Sequence, residues 1–160
     1  MALTVGAQAP DFTARAVVAG RFEDFRLHAH IGARPLVLEF FPFAFSGVCT
    51  AQLCDLRDAA PALARLDASV VACSADSVFA LREYAARLGF PYPLVSDTER
   101  AGIRAFGVGY EEPFYGARGV AKRAVFVIDT GHVVRHAWVT EDAEARPDVA
   151  DLQRVLAALA

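Results

Sequence analysis

The chain has 160 residues, of which 55% are hydrophobic, and it carries a formal net charge of −3. This length and apolar content predict one folded domain over residues 1–160 and exclude a disordered chain. The mild acidity gives no basis for nucleic-acid binding, and no apolar stretch approaches the roughly 20 residues that cross a membrane.

The predicted elements begin with a β-hairpin, because residues 12–18 alternate in polarity, Ala19-Gly20 forms a turn, and residues 21–27 return. The apolar run 36–41 predicts a strand that is buried on both faces. A pattern of leucines at helical spacing then predicts a long helix from about residue 47 to residue 66.

The second half of the chain alternates between predicted strands and helices. These segments are a strand at 69–74, a helix from Ser77 to Gly89, an extended stretch at 91–95, a short helix ending at Gly107, a strand at 124–128, a turn at 129–131, a return strand at 132–139, and a closing helix at 149–159. Strand–helix–strand units followed by a tight strand pair predict an α/β fold with a mixed sheet.

The chain contains three cysteines, an odd number, and its size does not require disulfide bonds for stability. The first residues have neither a cationic flank nor a long apolar region, so we predict no signal peptide and a cytoplasmic location. Cysteines in that compartment are kept reduced, and one in an unusual setting is more often catalytic than structural.

Cys49 has such a setting, because it follows a buried strand and a loop and lies in the first turn of the long helix. A helix N-terminus carries unpaired N–H groups and a partial positive charge, which favour the nucleophilic thiolate. Ser46, three residues earlier, can place a hydroxyl beside the sulfur. The alternative is a buried cysteine that only fills space, but the position after a strand and a loop at the start of the helix, with Ser46 beside it, favours the catalytic interpretation.

The segment around Cys49 also resembles the peroxiredoxin family. Pro42, Ser46 and Cys49 fit the signature Pro-x-x-x-Thr/Ser-x-x-Cys, and other segments match the family in the same order. These segments are residues 5–12, 73–77, 90–97, 105–108 and 123–129. The resemblance implies a thioredoxin-like fold, with a central mixed β-sheet flanked by helices and an N-terminal β-hairpin.

The resemblance also implies roles for five residues. Cys49 would be the peroxidatic cysteine, which attacks peroxide, Ser46 would hydrogen-bond the peroxide, and Pro42 would shield the sulfur from water. Arg123 would stabilise the thiolate and polarise the O–O bond, and Gln52 would orient Arg123. Without the resemblance, Gln52 is predicted to be an ordinary helix-surface residue.

Two interpretations of Cys54 stay open. Its spacing from Cys49 resembles the Q-type (bacterioferritin comigratory protein) peroxiredoxins, in which the second cysteine resolves the sulfenic acid. Five helical residues separate the Cα atoms by about 8.6 Å, whereas a disulfide needs roughly 4.4–6.8 Å, so the helix would have to unwind. The motif around Cys49 also resembles the alkyl hydroperoxide reductase E-like group, which uses an external thiol. Cys73 is predicted to be a core residue.

The implied substrate is hydrogen peroxide or an organic hydroperoxide, and the implied reductant is a thioredoxin- or glutaredoxin-like protein or a low-molecular-weight thiol. The resemblance further implies a homodimer and no metal, haem or flavin cofactor. One rival is a thiol–disulfide oxidoreductase, although Gln52 occupies the position where Cys-x-x-Cys requires a cysteine. Another is a redox-sensing or chaperone-like binding module.

Three other segments carry weaker predictions. His28 and His30 are interpreted as alternation on a strand or loop rather than a metal site, and His132 and His136 as surface residues. The acidic segment 141–144 is predicted to be a solvated loop. The aromatic segment 111–116 is predicted to be irregular, either at a dimer interface or at the mouth of the site.

Overall fold

Seven strands and five helices form the protein, which a computed structural model describes over residues 1–160. The strands are β1 Thr13–Val18, β2 Arg21–Arg26, β3 Leu36–Phe40, β4 Ser69–Ser74, β5 Leu94–Ser96, β6 Arg123–Ile128 and β7 Val134–Thr140. The helices are α1 Leu27–Ile31, α2 Gly47–Arg65, α3 Val78–Leu88, α4 Ala101–Ala105 and α5 Val149–Leu159.

All seven strands join one mixed sheet in the order β2-β1-β5-β4-β3-β6-β7. The central strands β3, β4 and β5 are parallel, whereas β1, β2, β6 and β7 pair antiparallel with their neighbours. The predicted N-terminal hairpin is therefore confirmed as β1–β2, and the predicted strand pair after residue 124 as β6–β7. The thioredoxin-like α/β fold is confirmed.

The core lies on both faces of the sheet, because successive strand residues point to opposite sides. From β3, Leu36, Leu38 and Phe40 join one apolar cluster, which α1 and α4 cover together with residues near the N-terminus. Val37 and the following Phe41 join the other cluster, which α2, α3 and α5 cover. Every residue of β3 is buried, as the apolar run predicts.

The short helix α1 was not predicted, and the interpretation of His28 and His30 as strand or loop alternation was wrong. Leu27 and Ile31 lie four residues apart, and both side chains are buried in the core on one face of the turn. His28 Nε2 lies 2.8 Å from the Ala9 carbonyl oxygen, and its ring stacks on the half-buried ring of His132. This helix is stabilised by tertiary packing, which the local sequence pattern does not reveal.

The antiparallel pairing of β3 with β6 determines which residues meet at one edge of the sheet. Phe40, the last residue of β3, pairs with Ala124, so Arg123 at the start of β6 lies beside the loop that follows β3. That loop leads directly into α2. The first residue of β6 and the first turn of α2 are therefore brought together, although 74 residues separate Cys49 from Arg123.

Candidate active site

Cys49 is the third residue of α2, and its side chain is buried. The preceding loop turns through Phe45, whose backbone adopts the left-handed conformation with φ 66°. The Ala44 N–H donates to Asp76 Oδ2 at 2.8 Å, and the Ser74 hydroxyl donates to the same oxygen at 2.7 Å. These bonds attach the loop to the end of β4 and thereby fix where α2 begins.

Arg123 makes the most direct contact with the Cys49 sulfur. Its Nη1 donates to Cys49 Sγ at 3.0 Å and to Gln52 Oε1 at 3.2 Å. On the other side of the guanidinium, Nη2 and Nε donate to the Ala143 carbonyl oxygen at 2.9 and 3.2 Å. The group is almost fully buried, so its positive charge is held against the sulfur with little screening by water. Negative charge that develops on the sulfur is therefore met by a directly bonded cation.

Gln52 is buried rather than exposed, so the prediction of an ordinary helix-surface residue was wrong. It lies three residues after Cys49 and therefore on the same face of α2, which packs against the sheet. Its Nε2 donates to the Phe40 carbonyl oxygen at 3.2 Å, while its Oε1 accepts from Arg123. The amide thus connects the end of β3 to the guanidinium, and its role in orienting Arg123 stays a prediction.

Ser46 and Pro42 both line the cavity beside Cys49. Ser46 is the residue immediately before α2, and its hydroxyl donates to the Phe43 carbonyl oxygen at 3.1 Å. That hydroxyl makes no hydrogen bond to the sulfur in this state, so its contact with peroxide stays a prediction. Pro42 is buried and follows Phe41 at the start of the loop between β3 and α2.

A cavity of about 400 Å³ opens over the Cys49 sulfur. Its lining residues are Pro42, Phe43, Ser46, Gly47, Val48, Cys49, Phe114, Tyr115, Arg123, Ala143 and Glu144. Phe43 and Phe114 stack with their ring centres 6.0 Å apart, and Tyr110 stacks on Phe114 with a ring-centre distance of 4.3 Å. The segment 111–116, for which two locations were predicted, therefore contributes to the mouth of this site.

The acidic segment 141–144 is more than the solvated loop that its composition predicts. Ala143 supplies the carbonyl oxygen that accepts two N–H bonds from Arg123. Glu141 pairs with Lys122, and two residues beyond the segment Arg146 pairs with Asp55 of α2 at 2.7 Å. No residue pattern could have pointed to Ala143, because it acts through its backbone.

All three cysteines are free thiols. Cys54 is half-buried on the same intact helix as Cys49 and packs against the apolar cluster under α2. Cys73 lies in the cluster on the opposite face of the sheet, where burial raises the pKa of its thiol well above the usual value. The structure thus places Cys73 in the core, as predicted, and separated by the sheet from the other two.

The structure gathers no group of three or more His, Cys, Asp or Glu side chains that could hold a metal ion. None of its helices is long and apolar enough to span a membrane.

Comparisons with known proteins agree with this geometry. The model of the AhpC/TSA family matches residues 5–137. The chain is 35% identical over 146 residues to alkyl hydroperoxide reductase E of Mycobacterium tuberculosis, covering 90% of each protein. It is 31% identical to the chloroplastic 2-Cys peroxiredoxin BAS1 of Hordeum vulgare, covering 84% of this chain and 65% of that one. The crystal structure of peroxidoxin BcpB from Mycobacterium tuberculosis superimposes with a TM-score of 0.84 at 30% identity, covering 99% of both chains.

Proposed function

Since the chain belongs to the AhpC/TSA family of peroxiredoxins and is a thiol-dependent peroxidase, we propose that Cys49 is its peroxidatic cysteine. The observation that carries this proposal is the 3.0 Å contact between Arg123 Nη1 and Cys49 Sγ at the start of α2. Neither Cys54 nor Cys73 accepts a hydrogen bond from a guanidinium group. A homodimer and a cytoplasmic location remain predictions.

In the proposed first step, the Cys49 thiolate attacks the terminal oxygen of the hydroperoxide. The S–O bond forms as the O–O bond breaks, and the other oxygen leaves as water or an alcohol after taking up a proton. Negative charge moves from the sulfur to the leaving oxygen, and Arg123 lies where it can stabilise both. Ser46 and Pro42, which line the same cavity, would bind the peroxide and exclude water.

The second step is the resolution of the Cys49 sulfenic acid. We favour attack by the Cys54 thiol, which forms a disulfide and releases water, followed by reduction by a thioredoxin- or glutaredoxin-like protein. The alternative, an external thiol, is favoured by one observation: the cavity is open above Cys49, whereas Cys54 lies five residues along an intact helix. A low-molecular-weight thiol could reach the sulfur through that cavity.

Mass spectrometry after one equivalent of hydrogen peroxide tests both steps. We expect the wild type to lose two hydrogens and the Cys54→Ser variant to gain one oxygen on Cys49. Cys73→Ser is the matched control and is expected to behave as the wild type. One added oxygen in both the wild type and Cys54→Ser would assign resolution to an external thiol, and an unmodified Cys49 would refute the peroxidase mechanism.

The aromatic wall of the cavity supports the proposal that organic hydroperoxides are substrates. We expect Phe114→Ala to raise KM for cumene hydroperoxide by roughly tenfold, because about 1–2 kcal/mol of apolar contact is lost. Hydrogen peroxide is too small to contact the wall, so its rate constant is expected to change by less than about twofold. Phe79→Ala, an exposed aromatic outside the cavity, is the matched control. Equal losses for both substrates would contradict this role.

A further inference from the structure

A second cavity, of about 490 Å³, lies beside the reaction cavity and takes no part in the proposed mechanism. Lys122, the residue before Arg123, lines it, and so does Tyr110, whose ring stacks on Phe114 of the reaction cavity. Its other walls come from residues 1 and 2, from α4 and the segment after it, and from the loop that leads into β6. The two cavities are therefore separate but adjacent.

The second cavity gathers positive charge, although the chain as a whole has a net charge of −3. Its cationic side chains come from α4 and the residue before it, and from the loop before β6, so the fold brings together segments that are apart in the sequence. Like charges at close range repel, and such a cluster costs stability unless an anion neutralises it. The cationic residues are Arg100, Arg104, Arg118 and Lys122.

The three arginines of this cavity have no carboxylate partner within the chain. Elsewhere most arginines form an ion pair with an aspartate or a glutamate. Arg104 and Arg118 are exposed and form neither an ion pair nor a side-chain hydrogen bond, and the Arg100 guanidinium donates only to the Thr98 carbonyl oxygen. The one acidic residue in the lining, Glu111, is exposed and pairs with none of them. Most of their N–H donors are therefore free for a ligand.

Lys122 adds a fixed donor to the wall of the cavity. Its side chain is half-buried and pairs with Glu141 at 2.5 Å. An ammonium group has three N–H donors, so it can bind an anion while it keeps this pair. The pair therefore holds the Lys122 ammonium in place and does not use all of its donors.

Glycines keep the space beside the arginines open. Gly107, Gly109 and Gly119 all line the cavity. Gly119 has φ 64°, and a Cβ there would lie 3.7 Å from Arg100 Cγ, so a larger side chain would occupy the space next to that arginine. At Gly107, where φ is 67°, a Cβ would collide with the Met1 carbonyl oxygen, so glycine allows residues 1 and 2 to close this side of the cavity.

These observations define the class of ligand. A guanidinium group binds phosphate through paired N–H donors, and the three free oxygens of one phosphate can accept from several arginines at once. A volume of about 490 Å³ is in the range of small-molecule pockets. We propose that this cavity is a binding site for a small phosphate-bearing molecule, whose phosphate groups are bound by Arg100, Arg104 and Arg118.

The test uses pyrophosphate as the probe, in calorimetric titrations at low ionic strength. We expect a Kd of about 0.1 mM, which weakens about tenfold in about 0.2 M NaCl because salt screens exposed charges. Citrate has a comparable charge, but each of its carboxylates offers only two oxygens, so it should bind about tenfold more weakly. In amide NMR spectra, Gly107, Gly109 and Gly119 should shift with pyrophosphate, whereas Gly20 and Gly89, outside the cavity, should not.

Variants show whether the arginines bind the probe. Arg104→Gln and Arg118→Gln are each expected to weaken pyrophosphate binding about tenfold, and the double variant about a hundredfold. Arg82→Gln, at an exposed arginine of α3 that lies outside the cavity and has no carboxylate partner, is the matched control and should bind as the wild type does. Because these side chains are exposed, the melting temperatures without pyrophosphate should agree. Pyrophosphate should raise the melting temperature of the wild type but not that of the double variant.

Three results would overturn the proposal. The first is no heat and no shift of the three glycine signals at about 10 mM pyrophosphate, and the second is an unchanged affinity in the double variant. The third is equally tight binding of citrate, which would show that the cavity selects negative charge rather than phosphate. None of these measurements requires Cys49 to react with peroxide, so failure of this site and failure of the peroxidase mechanism are distinguishable.

Discussion

Replacing Arg123 with lysine is expected to lower the rate constant for the reaction of Cys49 with hydrogen peroxide by about 10²–10³-fold, even though the positive charge is kept. The guanidinium makes four hydrogen bonds in fixed directions: two to the Ala143 carbonyl oxygen, one to Gln52 Oε1 and one to Cys49 Sγ. Because the guanidinium is planar and has several N–H donors, Ala143 and Gln52 can hold it in place while one N–H points at the sulfur.

A lysine ammonium cannot reproduce this arrangement. It is a compact charge on a flexible stem, and it cannot reach Ala143 and Cys49 at the same time. An ammonium that moves to the carbonyl oxygen leaves the thiolate and the leaving oxygen without their donor. A single lost donor to developing negative charge costs about 3–4 kcal/mol in comparable sites, which corresponds to the expected range.

The measurement is stopped-flow kinetics of Cys49 oxidation, with the melting temperature recorded for each variant. Arg118→Lys makes the same change at an exposed position in the loop before β6 and should react as the wild type does. If Arg123→Lys retains more than about a tenth of the wild-type rate, the directional role of the guanidinium is wrong and only its charge matters.

The sequence predicted the parts of the fold that have strong local patterns. The inner strands β3, β4 and β6 are mostly apolar runs, and α2, α3 and α5 show helical spacing, so the existence and order of these elements could be derived. The position of Cys49 at the start of α2 also followed from local sequence, because a buried strand, a loop and a helix are consecutive there. The helix α1 has one turn and depends on burial of Leu27 and Ile31, which no local pattern reveals.

The remainder of the site depends on contacts between segments that are distant in the sequence. Arg123 was predicted only through family resemblance, because the pairing of β6 with β3 is what carries it to α2. Gln52 has a polar side chain of the kind that is usually exposed, yet it is buried and bonded to Arg123. Ala143 acts through its carbonyl oxygen, and any residue type can supply that group.

For Glu39 in β3, the sequence predicted the burial of the residue but not the surroundings of its carboxyl group. The apolar run around it predicted burial on both faces of the strand, and the structure confirms that burial. The sequence did not reveal what would cover the carboxyl group, because the cluster on that face of the sheet is completed by α2, α3 and α5. The burial of a side chain can follow from its own segment, whereas its hydrogen-bond partners follow from the assembled fold.

If Cys54 resolves the sulfenic acid, the oxidised protein is expected to lose amide hydrogen-exchange protection over residues 47–56 by about 10²–10³-fold. The reason is geometric: both cysteines lie in the intact helix α2, where five residues separate the Cα atoms by more than a disulfide allows. The disulfide can form only when the first turns of α2 have unwound.

Several contacts hold these turns in place and must break in that step. The Thr50 and Tyr84 hydroxyls are hydrogen-bonded at 2.9 Å, the Tyr92 hydroxyl donates to the Leu53 carbonyl oxygen at 2.6 Å, and Asp55 pairs with Arg146. Unwinding therefore also releases Arg146, close to the residue whose carbonyl oxygen holds Arg123. The loss of protection should accordingly extend to residues 141–148.

Hydrogen exchange followed by mass spectrometry checks this expectation on reduced protein, on peroxide-oxidised protein, and on Cys54→Ser treated in the same way. Cys54→Ser should stay protected after oxidation, because its sulfenic acid has no thiol within the helix to attack it. Tyr92→Phe removes one restraint without touching either cysteine, so it should speed disulfide formation by roughly tenfold, equivalent to about 1.4 kcal/mol for a buried hydrogen bond. A Cys49–Cys54 disulfide with unchanged protection over residues 47–56 would contradict the unwinding mechanism, since the intact helix holds the two sulfurs on different faces of α2.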